Sequence, residues 1–262
     1  MDLGLKGKSV VVTGGGSNIG RAIVLKFAEE GANITIGDLD EKQANVVAKL
    51  ALEQGAAGAQ VIKTDVTDLS QVETMFQAAK DKFGSVDCLV NNVGWDQLQL
   101  FTDTTPDFWN RVIQINYMGV INCTSVALGY MKEQGKGSII SISSDASRQG
   151  EPREAVYGGC KAAVNSFMKT IAKEMGRFNI RCNAVCPGVT IPEETADVGE
   201  NSMWAKSMFT PEQLEKVAKA LPLKKVGRPF DVANPVVFLS SDCAGHITGQ
   251  VLSASGGYSM IG

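Results

Sequence analysis

The chain has 262 residues, 44% of them hydrophobic and 20% charged, with a formal net charge of −3. That length and composition suit a globular fold with a full core, and the charge balance excludes a basic nucleic-acid surface. Six cysteines in a chain this long do not make a disulfide scaffold, and the lone His246 cannot complete a metal cluster or a Ser-His-Asp site by itself. Free cysteines pack as small apolar residues, so buried, inert thiols are expected. No run of about 18 apolar residues is present to span a bilayer. The N-terminal stretch lacks the basic, apolar and small-residue segments of a signal peptide. The expectation is a cytoplasmic protein without a membrane partner.

In chain order, short β-branched runs alternate with segments of helical period. "SVVVTG" (9–14) and "NITIGD" (33–38) read as buried strands, and Ile19, Ile23, Val24 and Phe27 form one helical face between them. Gly31 stands where that helix should stop. "AQVIKTD" (59–65) is a third strand, followed by the stripe Val72, Met75, Phe76, Ala79 and Phe83 with Gly84 as its stop. "VDCLVNN" (86–92), "GSIISIS" (137–143), "NIRCNAV" (179–185) and "QVLSASG" (250–256) complete seven strands, with a long helix after Pro106. Such alternation predicts a doubly wound α/β fold: one Rossmann-like domain over residues 1–262, with a mostly seven-stranded parallel sheet covered on both faces. The stretch from about 190 to 222 lacks a strand and is rich in Met, Trp and Phe, which suggests a lid beside the strand ends.

"VVTGGGSNIGRA" follows the first strand and opens the first helix. A glycine turn lets backbone approach a pyrophosphate, and the helix N-terminus supplies donors and the positive end of a dipole. Asp38 ends the second strand about twenty residues on. A carboxylate there can accept both ribose hydroxyls of NAD and would repel the 2′-phosphate of NADP. Neither Leu39 nor Ser17 offers a counter-charge to such a phosphate, so NAD is the expected cofactor.

"TGGGSNIG" at 13–20, "NNVG" at 91–94, Asn116, Ser144, "YGGCK" at 157–161 and "PG" at 187–188 resemble, in order and spacing, the short-chain dehydrogenase/reductases. The resemblance covers essentially the whole chain. It implies cofactor contacts at Gly14, Ser17, Asn18, Ile19, Asp38 and Leu39, at Asp65 and Val66 by the adenine, and at Asn91, Asn92 and Gly94 in the adenosine cleft. It further implies that Pro187, Gly188, Val189 and Thr190 meet the carboxamide, with Pro192 standing where a second threonine is usual. Two positions depart from the family: Asn18 replaces the middle turn glycine, and Val93 replaces an alanine. Asn tolerates left-handed backbone better than other non-glycine residues, so the turn should survive.

Tyr157 and Lys161 are four residues apart, hence on one face of a helix. A free phenol titrates near pH 10, too high for a base at neutral pH. A nearby ammonium and a positive nicotinamide ring both favour the phenolate. The family role carried onto Tyr157 is general base in alcohol oxidation and general acid in ketone reduction, with Lys161 as its electrostatic partner and a ligand of the nicotinamide ribose. Ser144 takes the position of a donor to the substrate oxygen, while alternation turns Ser143 to the other face. Asn116 fits a water-holding asparagine linking the lysine to solvent. The small residues Gly158, Gly159, Ala162 and Ala163 suggest a close helix contact, and the resemblance implies a homotetramer.

Trp95, Gln149, Met203, Trp204, Met208 and Phe209 are candidate pocket walls, suited to an alicyclic or aromatic ring bearing a secondary alcohol. Arg148, Arg153 and Lys206 are candidate partners for the phosphates of coenzyme A. The expected small-molecule substrate is a cyclic β-hydroxyacyl-CoA. A free cyclic or aryl alcohol, and a non-catalytic subunit that keeps the fold, remain open at this point.

Overall fold

The structure is a computed structural model that describes residues 2–200, 202 and 209–261. Seven strands form one parallel sheet: β1 (Ser9–Thr13), β2 (Asn33–Asp38), β3 (Gly58–Lys63), β4 (Cys88–Asn91), β5 (Gly137–Ile142), β6 (Ile180–Pro187) and β7 (Val251–Ala254). Their spatial order is β3-β2-β1-β4-β5-β6-β7, every neighbour parallel. The β1–β4 junction is where the order reverses. In such sheets a crevice opens there, beyond the carboxyl ends of the strands.

The helices are α1 (Asn18–Glu29), α2 (Glu41–Glu53), α3 (Leu69–Phe83), α4 (Pro106–Ile113), α5 (Gly119–Gln134), the short α6 (Ala146–Gln149), α7 (Ala155–Met175), α8 (Pro211–Ala220) and α9 (Pro229–Ser240). Strand alternation divides the interior into two cores. Val10 and Val12 of β1 face a layer with Ile23 and Phe27 of α1, Val47 of α2 and Val236 of α9. Val11, between them, faces the opposite layer with Phe76 of α3, Cys123 of α5 and Val164 of α7. Five cysteines are buried and Cys243 is exposed. Burial pushes the thiols of Cys88, Cys123 and Cys182 up to about 12, so they stay protonated and inert at neutral pH. Cys182 and Cys186 lie within β6, which runs further than the sequence pattern implies, rather than at a strand end and turn.

The helix expected after Pro106 is continuous to Gln134, with a π-helical turn at Gln114–Met118 joining α4 to α5. By length and composition it is apolar enough to cross a bilayer, although no unbroken apolar run announces it. Its inner face, including Val120, Cys123, Ala127 and Met131, packs into the second core. The expected lid holds a 3-10 turn (Thr195–Asp197) and α8. Its first part leans on the glycine turn and the two helices beside it: Gly199 N donates to Ser17 Oγ at 2.7 Å, Gln43 reaches Ala196 O, and Arg21 pairs with Asp197 at 3.1 Å.

Candidate active site

A cleft of about 830 Å³ opens over the β1–β4 junction. At one end, the turn from β1 into α1 holds Asn18 at φ 46°, the left-handed geometry anticipated for it. A Cβ placed on Gly20 would stand 2.0 Å from Gly14 O, so only glycine allows the helix to cross the strand end so closely. No side chain caps the N-terminus of α1, because Ser17 Oγ is turned to Gly199. Its amide donors are therefore free of a side-chain acceptor, as an anion site at a helix start requires. Asn18 Oδ1 is buried without a partner in the same turn.

Asp38 lies across from this turn. One carboxylate oxygen accepts from Gly16 N at 2.9 Å and the other from Asp40 N at 3.0 Å, leaving a lone pair on each for a ligand. Burial raises its pKa, and those two backbone donors partly offset the rise. Leu39, 52% exposed, lines the cleft beside it. Ser17, Ile19, Asp65, Val66, Asn92 and Gly94 line the same cleft, and Asn92 Nδ2 bridges the carbonyls of Thr13 and Gly14 at 3.0 and 2.9 Å. Asp65 is partly engaged, accepting from Thr67 N and Oγ1.

Asn91 departs from expectation. Its side chain is buried under the sheet against Thr124 and Ser141 and does not line the cleft, because β4 alternation sends residue 91 inward and residue 92 outward. Pro187, Gly188, Val189 and Thr190 line the far wall. Thr190 Oγ1 is held by Gly188 O at 3.1 Å, and Thr190 bridges Gly227. The glycine turn, the uncapped helix start and the Asp38 carboxylate together fit a nicotinamide dinucleotide.

Tyr157, Lys161 and Ser144 meet in the middle of the cleft. Lys161 is 2% exposed; its Nζ donates to Ile142 O at 3.0 Å and lies 5.5 Å from the Tyr157 ring centroid. The Ser144 side chain lies beside the Tyr157 hydroxyl and favours its ionised form, while its Oγ accepts from Ala146 N at 3.2 Å. Ser143 points away from that pair, bonding Lys161 O at 3.1 Å. Asn116 is fully buried in the π turn, whose extra residue lets Nδ2 bond both Val112 O and Trp95 O while Oδ1 accepts from Trp95 N. A Cβ on Gly94 would stand 3.2 Å from Asn116 Oδ1 and 3.3 Å from Lys161 Nζ. Glycine at that position is what lets the lysine and asparagine ends approach the strand end.

The protein's own electrostatics work against the phenolate. Burial pushes Lys161 down to about 8, while burial and the neighbouring carboxylates Glu154 and Asp96 push Tyr157 upward against the opposing Ser144 side chain. The protein alone holds the phenol protonated. The lysine does not by itself deliver a phenolate, so the lowering has to come with a positive ring in the cleft.

The proposed substrate residues divide. Trp95 and Phe209 line the cleft. Arg148 does not: its guanidinium donates to Val251 O at 3.0 Å, fastening β7. Arg153 is likewise turned to Leu98 O at 3.0 Å, and Gln149 is exposed outside the cleft. Arg148 and Gln149 sit on α6 and Arg153 on the loop before α7, and the two arginines spend donors on the backbone carbonyls of Val251 and Leu98. Met203, Trp204, Lys206 and Met208 lie outside the described residues. Sequence reasoning missed Arg111, which lines the cleft with its guanidinium 3.9 Å from the Trp95 ring centroid. It also missed Glu154, which lines the cleft one helical turn before Tyr157, and Asp96 behind it. The one available signal was position: Asp96 follows "NNVG" by two residues, and Glu154 precedes Tyr157 by three.

A family model described as enoyl-(acyl carrier protein) reductase matches residues 14–259. Among similar proteins, a 3alpha-hydroxysteroid dehydrogenase of Mediterraneibacter gnavus is 36% identical over 253 residues, covering 96% of this chain and 97% of the relative. The 3-oxoacyl-(acyl-carrier-protein) reductase FabG of Thermotoga maritima is 36% identical, covering 97% of this chain and 98% of its own. The Staphylococcus aureus protein of the same name is 34% identical with the same coverage. With the seven-stranded parallel sheet and the cleft at its switch point, these matches establish that the chain belongs to the short-chain dehydrogenase/reductase family, oxidoreductases that act on CH–OH and ketone groups.

Proposed function

We propose that this protein is an NAD-dependent dehydrogenase that interconverts a secondary alcohol and a ketone, with Tyr157 as the proton-transferring group. The observation that carries the reading is the meeting of Ser144, Tyr157 and Lys161 on one wall of the cleft that Asp38 closes at the other end. NAD, when bound, supplies the hydride acceptor. Tyr157 takes the hydroxyl proton in oxidation and returns it in reduction. Ser144 hydrogen-bonds the substrate oxygen as charge develops there. Lys161, cationic below about pH 8, stabilises the phenolate electrostatically and holds the nicotinamide ribose. Asn116 acts through its grip on the Trp95 backbone, which fixes the loop over Lys161.

The choice of NAD over NADP rests on Asp38 and on its neighbours Ser17, Leu39 and Asp40, none of which offers a positive charge to a 2′-phosphate. For the substrate we favour a cyclic β-hydroxyacyl-CoA. The stretches "NNVGWD", "EAVYGGCKA" and "ITGQVLSASGG" look like those of 2-hydroxycyclohexanecarboxyl-CoA dehydrogenase, and the Thermotoga relative is named for a 3-oxoacyl group on an acyl carrier protein. Arg111, held on Trp95, is the cleft-lining cation other than Lys161 among the described residues and is suited to a phosphate of the carrier. A second reading, a free alicyclic alcohol, is favoured by the relative named for a hydroxysteroid. Assaying hydroxyacyl-CoA thioesters beside the matching free alcohols, with NAD and with NADP, decides between them. Higher kcat/KM for the thioester and for NAD supports the first reading; preference for the free alcohol supports the second, and silence across the panel leaves a non-catalytic subunit.

Residues 1–262 act as a single domain in this reading, in the cytoplasm. The outward face of α7, with Gly159 and Ala162 exposed, is the surface we assign to assembly as a homotetramer.

A further inference from the structure

Two carboxyl groups line the wall of the cleft where Tyr157 stands, and a third is buried behind them. Glu154 lines the cleft and begins α7 one turn before Tyr157. Glu151 lines it from the preceding loop and accepts a hydrogen bond from Tyr258 of the C-terminal segment. Asp96, from the loop after β4, is 6% exposed, and its Oδ2 is buried with no hydrogen-bond partner. Among the described residues, no ion pair involves any of the three. Their charges are felt together: Asp96 and Glu151 act on Glu154, and Glu154 and Asp96 act on Tyr157.

We propose that this carboxyl wall is a charge filter, admitting substrates whose groups beside the carbinol are uncharged, such as thioesters, esters and plain rings, and turning away free carboxylates. The inference rests on the dehydrogenase reading above and narrows its substrate class. A carboxylate next to the carbinol has to lie within a few ångströms of Tyr157, and so beside Glu154, whose charge no ion pair among the described residues neutralises. Lys161 donates to Ile142 O and Arg111 stacks on Trp95, so neither cation is paired with the carboxyl wall. A thioester carbonyl in the same place meets no repulsion, and it can accept a hydrogen bond from Glu154 when that group carries its proton. The orphaned oxygen of Asp96 has a use in this arrangement: it holds negative charge behind Glu154 and deepens the barrier to a second anion.

The test compares ethyl 2-hydroxycyclohexanecarboxylate with 2-hydroxycyclohexanecarboxylate as substrates, at saturating NAD and pH 8, by kcat/KM. The wild type should favour the ester on the order of 100-fold, as like charges in a partly desolvated site require. Glu154→Gln should cut that ratio about tenfold, and Asp96→Asn should cut it by less, in the same direction. Glu53→Gln, a remote exposed carboxylate, should leave it unchanged. NADH titration of each variant verifies that the cleft is intact. A measurement on the unaltered protein runs alongside. Glu154 is pushed up to about 7 by burial, Asp96 and Glu151, so the ratio should shrink between pH 8 and pH 6 while the free acid stays ionised. Wild-type acceptance of the acid within a few-fold of the ester overturns the proposal, as does a ratio insensitive to both substitutions or to pH. If no β-hydroxyacyl compound turns over, the substrate reading falls separately. The filter is then judged by the same ratio for cyclohexanol against 2-hydroxycyclohexanecarboxylate.

Discussion

At the Asp38 end of the cleft the wall is mostly backbone: a left-handed Asn18, a glycine against Gly14 O, the uncapped start of α1, and a carboxylate fixed by two amides. At the Glu154 end the wall is side chains, Trp95 from the loop after β4, Arg111 from α4, and Glu151 and Glu154 from the segment leading into α7, with Asp96 buried behind them. The first end binds a group that every turnover needs in the same pose, so strand ends and a helix N-terminus suffice. The second end adapts to a particular substrate, and loops carry that burden because their exchange leaves the sheet untouched.

The largest effect belongs where the two ends meet. Tyr157→Phe should lower kcat by about a thousandfold or more while NADH binds as in the wild type; a residual rate near normal would move the proton transfer elsewhere. At the backbone end, Gly20→Val drives its side chain into Gly14 O and should weaken NADH binding by about 10- to 100-fold, read by fluorescence titration. Asp38→Ala should shift the NAD-to-NADP ratio of kcat/KM toward NADP by about tenfold, through loss of a repulsion as much as of a hydrogen bond. Unchanged discrimination would mean another group reads the ribose.

The smallest effect is on stability, at the loop end. Burial pushes Asp96 up to about 6, from an unfolded value near 4. The folded chain therefore holds the proton more tightly than the unfolded one. The stability penalty grows as pH rises from about 4 to 6 and is complete above that. Asp96→Asn should raise Tm by a few degrees at pH 8, on the order of 1–3 kcal/mol, with the gain fading as pH falls from 6 toward 4. A gain independent of pH would show that the carboxyl charge is not the cause.

How much of this the sequence foretold follows the same division. The seven strands and the two-faced sheet were legible because Val10, Val11 and Val12 could only be a strand buried on both sides, and β2 falls on the very residues its pattern marks. The glycine turn and the Tyr157/Lys161 pair were legible because their spacing is local. Asn91 was misplaced because one step along β4 changes the face. Arg148 and Arg153 looked like free cations, yet backbone carbonyls claim them. Asp96, Glu154 and Arg111 went unread because their meeting depends on how two loops and α4 fold over the strand ends, which no periodicity encodes. The π turn that places Asn116 had no sequence mark either.

The central claim is that a phenol held protonated by its surroundings becomes the working base once a positive ring and the Lys161 ammonium share the cleft. The most direct test is the pH dependence of NADH formation in single turnovers, at saturating NAD and alcohol, in the wild type and in Lys161→Met. The account predicts a rate rising through one ionisation to a plateau, with that ionisation displaced upward by at least about one pH unit in the variant. An ionisation at the same pH in both proteins would contradict it.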